Sequence, residues 1–225
     1  MSRASEGSRQ LTVAIVDDHD AIHAGVTAWF AQADPPIGVT ASYLAVAPLL
    51  ADYPQRDPAL DVVVLDLELT SRQPDFSAVA QLHDAGHRVL VHSHLTHDEV
   101  ILTCLDRGAS CYVAKTEGRE HLINGVKAAA QDIGYITPRM ANAIANDTRH
   151  GRPDLTARER EVLVAWFQTE NKDLVSKRLF LSPSTVNTHL QRIRTKYAAT
   201  GRPANSKATL LARAVQDGIV SIDSI

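Results

Sequence analysis

The feature that most constrains the fold is an alternation. Through the first 131 residues, short runs rich in Val, Ile and Leu recur with helix-length stretches between them: LTVAIV (11–16), IGVTASY (37–43), DVVVLDL (61–67), RVLVHS (88–93) and SCYVAK (110–115). Runs of that length with no polar alternation are strands buried on both faces. The stretches 20–32, 46–53, 75–85, 97–107 and 118–131 carry apolar residues at helical spacing. Strand and helix in strict alternation predict an α/β fold, a doubly wound five-stranded parallel sheet with helices on both faces.

In such a sheet, ligands sit outside the carboxyl ends of the strands. Polar residues gather there: Asp17 and Asp18 after the first strand, Asp66 at the end of the third, Ser93 after the fourth and Lys115 after the fifth. Three carboxylates at one edge repel unless a cation joins them, and an all-oxygen set with water suits Mg²⁺. A metal-assisted carboxylate such as Asp66 can attack a phosphoryl donor and become an acyl phosphate. Lys115 can pair with the phosphoryl oxygens and the Ser93 hydroxyl can donate to one of them. Asp20 instead fits a helix N-terminus, favoured by the dipole.

The net charge of -3 conceals two halves of opposite sign. Residues 1–152 hold 12 Lys and Arg against 19 Asp and Glu; residues 153–225 hold 11 against 7. Between Asp173 and Asp217 there are eight basic residues and no acidic one. That is the footprint of a domain that meets a polyanion. Here LTAREREVLVAWFQ (155–168) opens with Thr156 and Glu159 as a capping box. NKDLVSKRLF (171–180) forms a second helix, and LSPSTVNTHLQRIRTKYAA (181–199) a third, with Ser182 as N-cap and Pro183 at the first helical position. Val186, Leu190, Ile193 and Tyr197 form its buried stripe. The opposite face offers Ser184, Thr185, Asn187, Thr188, Gln191, Arg192, Thr195 and Lys196 without a carboxylate, with Arg194 adding a further cation. Such a helix-turn-helix places its third segment in the major groove of double-stranded DNA, where amides pair with adenine and cations with phosphate.

No apolar run approaches the 18 or so residues of a membrane span, and no apolar segment follows the N-terminal MSRASEGSRQ as in a secretory signal. The expected location is therefore the cytoplasm, with no membrane partner. Cys104 and Cys111 lack CxxC spacing and are expected to be packed thiols. Five of the ten histidines, His83, His87, His92, His94 and His97, fall within residues 83–97. His83 with His87, and His92 with His94, have the spacing to share faces, although scattered surface positions are the plainer expectation.

The motifs VDDH (16–19), VLD (64–66), HS (92–93) and GASCYVAK (108–115), followed by LTAREREVL and STV (184–186), resemble those of two-component response regulators of the NarL/FixJ type. The resemblance implies a flavodoxin-like receiver over residues 9–133, a linker over 134–153 and a LuxR-type helix-turn-helix domain over 154–225. It implies that Asp17, Asp18, Asp66 and the backbone carbonyl of Glu68 hold Mg²⁺. Asp66 would take a phosphoryl group from a sensor histidine kinase, with Ser93, Lys115 and Tyr112 transmitting the change, and the protein would act as a homodimer on DNA rather than as an enzyme. The sequence departs from the family after the acceptor, where Leu69 and Thr70 replace the usual Met-Pro, and beside Ser93, where His94 is larger than usual. Two other readings are a Mg²⁺-dependent phosphohydrolase using Glu68 or His94 as acid or base, and a regulator independent of phosphorylation.

Overall fold

A computed structural model describes residues 9–69, 73–147, 151–169 and 171–220. Five parallel strands, β1 (Thr12–Val16), β2 (Gly38–Tyr43), β3 (Val62–Leu65), β4 (Val89–Ser93) and β5 (Cys111–Ala114), form one sheet in the order β2-β1-β3-β4-β5. This is the flavodoxin-like order, and its direction reverses beside β1, so a crevice opens at the carboxyl ends of β1 and β3. Residues 13–16 and 62–65 are all buried, which is why these strands read as unbroken apolar runs. The helices are α1 (Asp20–Ala31), α2 (Val46–Asp52), α3 (Phe76–Asp84), α4 (Asp98–Asp106) and α5 (Arg119–Ala130). They seal the two faces; α1 touches α5, and α3 touches α4.

The linker carries one helix, α6 (Pro138–Ala145), whose N-cap Thr137 accepts from the Met140 amide. Its anchorage to the sheet is polar as well as apolar. Thr137 Oγ1 donates to the Tyr112 carbonyl at 3.0 Å, and the Glu117 carboxylate accepts from the amides of Ala114 and Arg139 at 2.8 and 2.9 Å.

Four helices follow: α7 (Ala157–Phe167), α8 (Lys172–Leu179), α9 (Pro183–Ala199) and α10 (Lys207–Gln216). The Thr156–Glu159 capping box forms, and Ser182 caps α9 through the Thr185 amide, satisfying donors the helix itself leaves open. Val162, Leu163, Trp166, Val186, Leu190, Ile193 and Tyr197 make a second core. The turn between α8 and α9 is closed by Phe180 in the left-handed region at φ 54, which leaves its ring 95% exposed.

The last helix holds the two halves together. Residues 207–214 of α10 are all buried, with Leu210 and Ala214 in the second core and Ala208 and Ala212 in the first. Arg213, 1% exposed, bonds Asp147 beyond α6 and reaches Asp106 at the end of α4 at 3.2 Å. Thr209 Oγ1 donates to the Leu105 carbonyl at 3.3 Å, and Asn205 Nδ2 to the Asp106 carbonyl at 2.8 Å. At Gly134 a Cβ would stand 2.7 Å from Leu211, so the start of the linker passes too close to α10 for a side chain.

Candidate functional site

Each acidic residue is delivered by the end of a strand. Asp17 and Asp18 follow β1, Asp66 follows β3, and Lys115 follows β5. Lys115 Nζ lies between two of the carboxylates, 2.8 Å from Asp17 Oδ2 and 2.7 Å from Asp66 Oδ2, and all three side chains are nearly fully buried. Burial alone would raise the Asp17 carboxyl, but the Lys115 bond and charge, with the His19 amide, hold it below the ordinary carboxylate value. Burial alone would lower Lys115, but its bonds to Asp17 and Asp66 outweigh that and raise it. The lysine is therefore charged at neutral pH.

Asp18 adds the third carboxylate, and its Oδ1 is buried without accepting a hydrogen bond. His19 Nδ1 approaches that oxygen to 2.8 Å, but the contact lacks hydrogen-bond alignment. Among the described residues, the one group of His, Cys, Asp and Glu side chains close enough to hold an ion is Asp17, Asp18, His19 and Asp66. A buried carboxylate oxygen with no donor, inside a set of hard oxygen atoms, fits a divalent cation. Glu68 is half-buried two residues beyond Asp66, whose Oδ1 accepts from the Leu67 amide at 2.8 Å. Of the two positions where the loop departs from the family pattern, Leu69 is half-buried and Thr70 lies outside the described residues.

Ser93 and Tyr112 converge on one residue. Ser93 Oγ accepts from the Leu95 amide at 3.3 Å, while the Tyr112 hydroxyl donates to the Leu95 carbonyl at 2.6 Å. Tyr112 is fully buried, and that burial raises its hydroxyl pKa. The backbone of Tyr112 is the one held by Thr137 and, through a 3.3 Å contact from its amide, by Met140 Sδ. Thus one strand joins the acidic crevice to the linker helix.

The histidines of residues 83–97 do not assemble. His87 lies beyond α3 and bonds the Tyr53 carbonyl at 2.9 Å, so it does not share a helix face with His83. His92 is buried within β4, whereas His94 follows the strand and is exposed. The sequence reading missed His19 as a member of the acidic site, though its place directly after Asp17 and Asp18 was a usable signal.

On α9, Ser184, Asn187, Thr188, Gln191, Arg192 and Thr195 are exposed on a common surface, as their spacing required. Thr185 is half-buried against Ser182 Oγ. Two of the three cations expected there are used elsewhere. Arg194 lies over the Trp166 ring at 5.7 Å, and Lys196 bonds Glu159 at 2.7 Å and the Asp154 carbonyl at 2.8 Å. Arg194 borders the buried stripe, where stacking on an aromatic face competes with solvent. Arg192 remains on the surface, and Lys177 and Arg178 on α8 add exposed charge that the sequence reading had not singled out.

Residues 153–205 match the family model of bacterial regulatory proteins, luxR family. The chain is 28% identical over 151 residues to a probable transcriptional regulatory protein NarL of Mycobacterium tuberculosis, covering 64% of this chain and 69% of that protein. It is 28% identical over 195 residues to the DNA-binding transcriptional activator DevR/DosR of the same species, covering 82% and 87%. Among solved structures, the response regulator ChrA of a heme-sensing two-component system is 25% identical, with a TM-score of 0.50 over 94% of this chain and 99% of that one.

Proposed function

We propose that this chain, a response regulator of the NarL/FixJ type with a LuxR-family DNA-binding domain, is a transcriptional regulator switched by phosphorylation of Asp66. Residues 9–133 act as the receiver, 134–153 as the linker and 154–225 as the DNA-binding domain. The observation that carries the reading is the convergence of Asp17, Asp18, Asp66 and Lys115 at the carboxyl edge of the sheet, in one chain with the polar face of α9 that exposes Asn187, Gln191 and Arg192.

Asp17, Asp18, Asp66 and the Glu68 carbonyl would hold Mg²⁺, which when bound offsets the negative charge brought by a phosphoryl group. The residues of the chain do the rest. One Asp66 carboxylate oxygen attacks the phosphorus of a phosphohistidine on a sensor kinase, and the histidine leaves. Lys115 exchanges part of its contact with the carboxylate for the new phosphoryl oxygens, and Ser93 Oγ turns from Leu95 to donate to one of them. The Ser93 movement acts on Leu95, which holds the Tyr112 hydroxyl, and the Tyr112 backbone holds the head of α6. The result shifts the docking of α10, freeing the DNA-binding domain to pair with a second copy on DNA. Half-sites related by two-fold symmetry, about one helical turn apart, are the expected target. A cytoplasmic location would bring both kinase and DNA within reach.

The test is phosphate-affinity electrophoresis with a phosphodonor, on the parent chain and on Asp66→Asn, coupled to DNA binding. The variant should take up no label and show no donor-dependent gain in DNA affinity, because an amide is a poor nucleophile. Undiminished labelling of Asp66→Asn contradicts the acceptor assignment.

A further inference from the structure

We propose that the cavity where α5, the linker and α10 meet is an effector site for a small uncharged carbonyl compound with an apolar body, whose binding holds α10 docked. The ligand class stands on the geometry of the cavity; its effect on DNA binding rests on the reading given above.

The cavity measures about 400 Å³ and is lined by His121 of α5, Tyr135 and Ile136 of the linker, Ala141 of α6, and Leu211 and Val215 of α10. That size lies at the lower end of pockets that hold small organic molecules. Its walls come from both halves of the chain. Tyr135 packs on the first core, Leu211 and Val215 on the second, and Ile136 on both. Gly134, also in the lining, lets the linker approach Leu211 more closely than a side chain would allow.

The polar equipment is one pair. The Tyr135 hydroxyl and His121 Nδ1 stand 2.8 Å apart. Burial raises the hydroxyl pKa; a hydrogen bond from Asn124 works against that, and the nearby Glu117 and Glu120 add to it. A bond that favours the phenolate is one its oxygen accepts, so the hydroxyl proton is left for His121 Nδ1. This network assigns the imidazole hydrogen to Nε2, and no described residue accepts from that nitrogen. An N–H donor repels a cation, while Glu117 and Glu120 repel an anion. No Asp, Glu, Lys or Arg lines the walls to compensate either charge. What fits is a neutral acceptor on an apolar body.

A ligand touching Leu211 and Val215 on one side and the linker on the other finds its full site only while α10 is docked. By linkage it stabilises that arrangement and competes with release of the DNA-binding domain. The cavity thus gives the chain an input opposite in sign to phosphorylation.

The test is a ligand-observed NMR titration of the full chain with acetophenone, benzoate and benzylammonium, which share a ring and differ in charge. Acetophenone should bind with a Kd of about 1 mM, and the two ions at least about tenfold more weakly. Ala141→Phe, which fills the cavity from an exposed helix position, should abolish binding. His121→Leu should weaken acetophenone by about fivefold, and His121→Gln, whose amide can donate, should restore most of it. Acetophenone at ten times its Kd should lower the DNA affinity of the unphosphorylated parent by about tenfold and leave that of Ala141→Phe unchanged. No binding of acetophenone, equal binding of either ion, or undiminished binding by Ala141→Phe each overturn the site. Binding as expected with unchanged DNA affinity overturns the effector role. No arm uses a phosphodonor, so failure of the Asp66 assignment is read separately, in the labelling of Asp66→Asn.

Discussion

Arg213 offers the sharpest perturbation of the coupling between the two halves. Its guanidinium, 1% exposed, bonds Asp147 and reaches Asp106 at 3.2 Å, on the linker and on α4 respectively. Removing one partner of a buried ion pair costs roughly 3 to 5 kcal/mol, because the remaining charges keep their desolvation penalty and lose part of their compensation. The lower end applies here, since the Asp106 side chain retains 16% exposure and α10 keeps its apolar contacts through Ala208 and Ala212. At about 3 kcal/mol the ratio of docked to undocked chains falls by about a hundredfold. Arg213→Met is the better variant, since it keeps the aliphatic stem and removes the charge. Small-angle scattering of the unphosphorylated protein should then show a larger radius of gyration, and DNA affinity without phosphodonor should rise toward the phosphorylated value. A scattering profile superimposable on that of the parent, together with unchanged basal DNA affinity, would refute the idea that this contact holds the halves together.

Chelation should silence the receiver: EDTA blocks phosphoryl transfer to Asp66 and added Mg²⁺ restores it, so label persisting after removal of divalent ions would contradict a metal-dependent Asp17–Asp18–Asp66 site. On α9, Asn187→Ala and Gln191→Ala should each cost about 1 to 3 kcal/mol on the true site and little on scrambled duplex, while Arg192→Ala should weaken both and reduce the salt slope by about one unit. Anisotropy titrations at several salt concentrations separate these, and amide variants that fail equally on both duplexes would put the helix in the wrong register. Buried His92 has its pKa lowered from 6.5 to about 4, by desolvation first and then by Lys115. The unfolded chain therefore takes up that proton first, and stability is full above about pH 6.5 and falls by about 3 kcal/mol as pH drops toward 4. Urea titrations at pH 7 and 4.5 should show a smaller loss for His92→Gln than for the parent, and equal losses would count against it.

Most of the receiver was legible because its information is local. Parallel strands covered on both faces are largely apolar without alternation, so β1 and β3–β5 stand out as runs and their ends fall within a residue or two of expectation. The acidic crevice was legible for the converse reason: Asp17 and Asp18 side by side at a strand end have no packing rationale. On α9 the period located the face but could not apportion its cations. Arg194 reads as exposed until Trp166, from another helix, is placed beneath it, and Lys196 reads as a phosphate contact until Glu159 stands 2.7 Å away.

The contacts that join the halves were illegible for a physical reason. Arg213 lies 66 residues from Asp147 and 107 from Asp106, and in sequence it is one more cation on an amphipathic helix. Yet those contacts give the two halves a reason to be one chain. The crevice reaches the linker along β5, from Lys115 through Tyr112 to Thr137 and Met140 at the head of α6. The far end of α6 leads to Asp147, and the end of α4 supplies Asp106, so a single guanidinium on α10 bonds carboxylates at the ends of both helices. A shift of β5 or of α4 alone leaves one of the two acceptors in place; moving both withdraws the charge compensation of Arg213 together. Because a buried guanidinium is far costlier with no acceptor than with one, the contact responds steeply to concerted movement and weakly to partial movement. That is the behaviour a two-state switch requires of the element it biases.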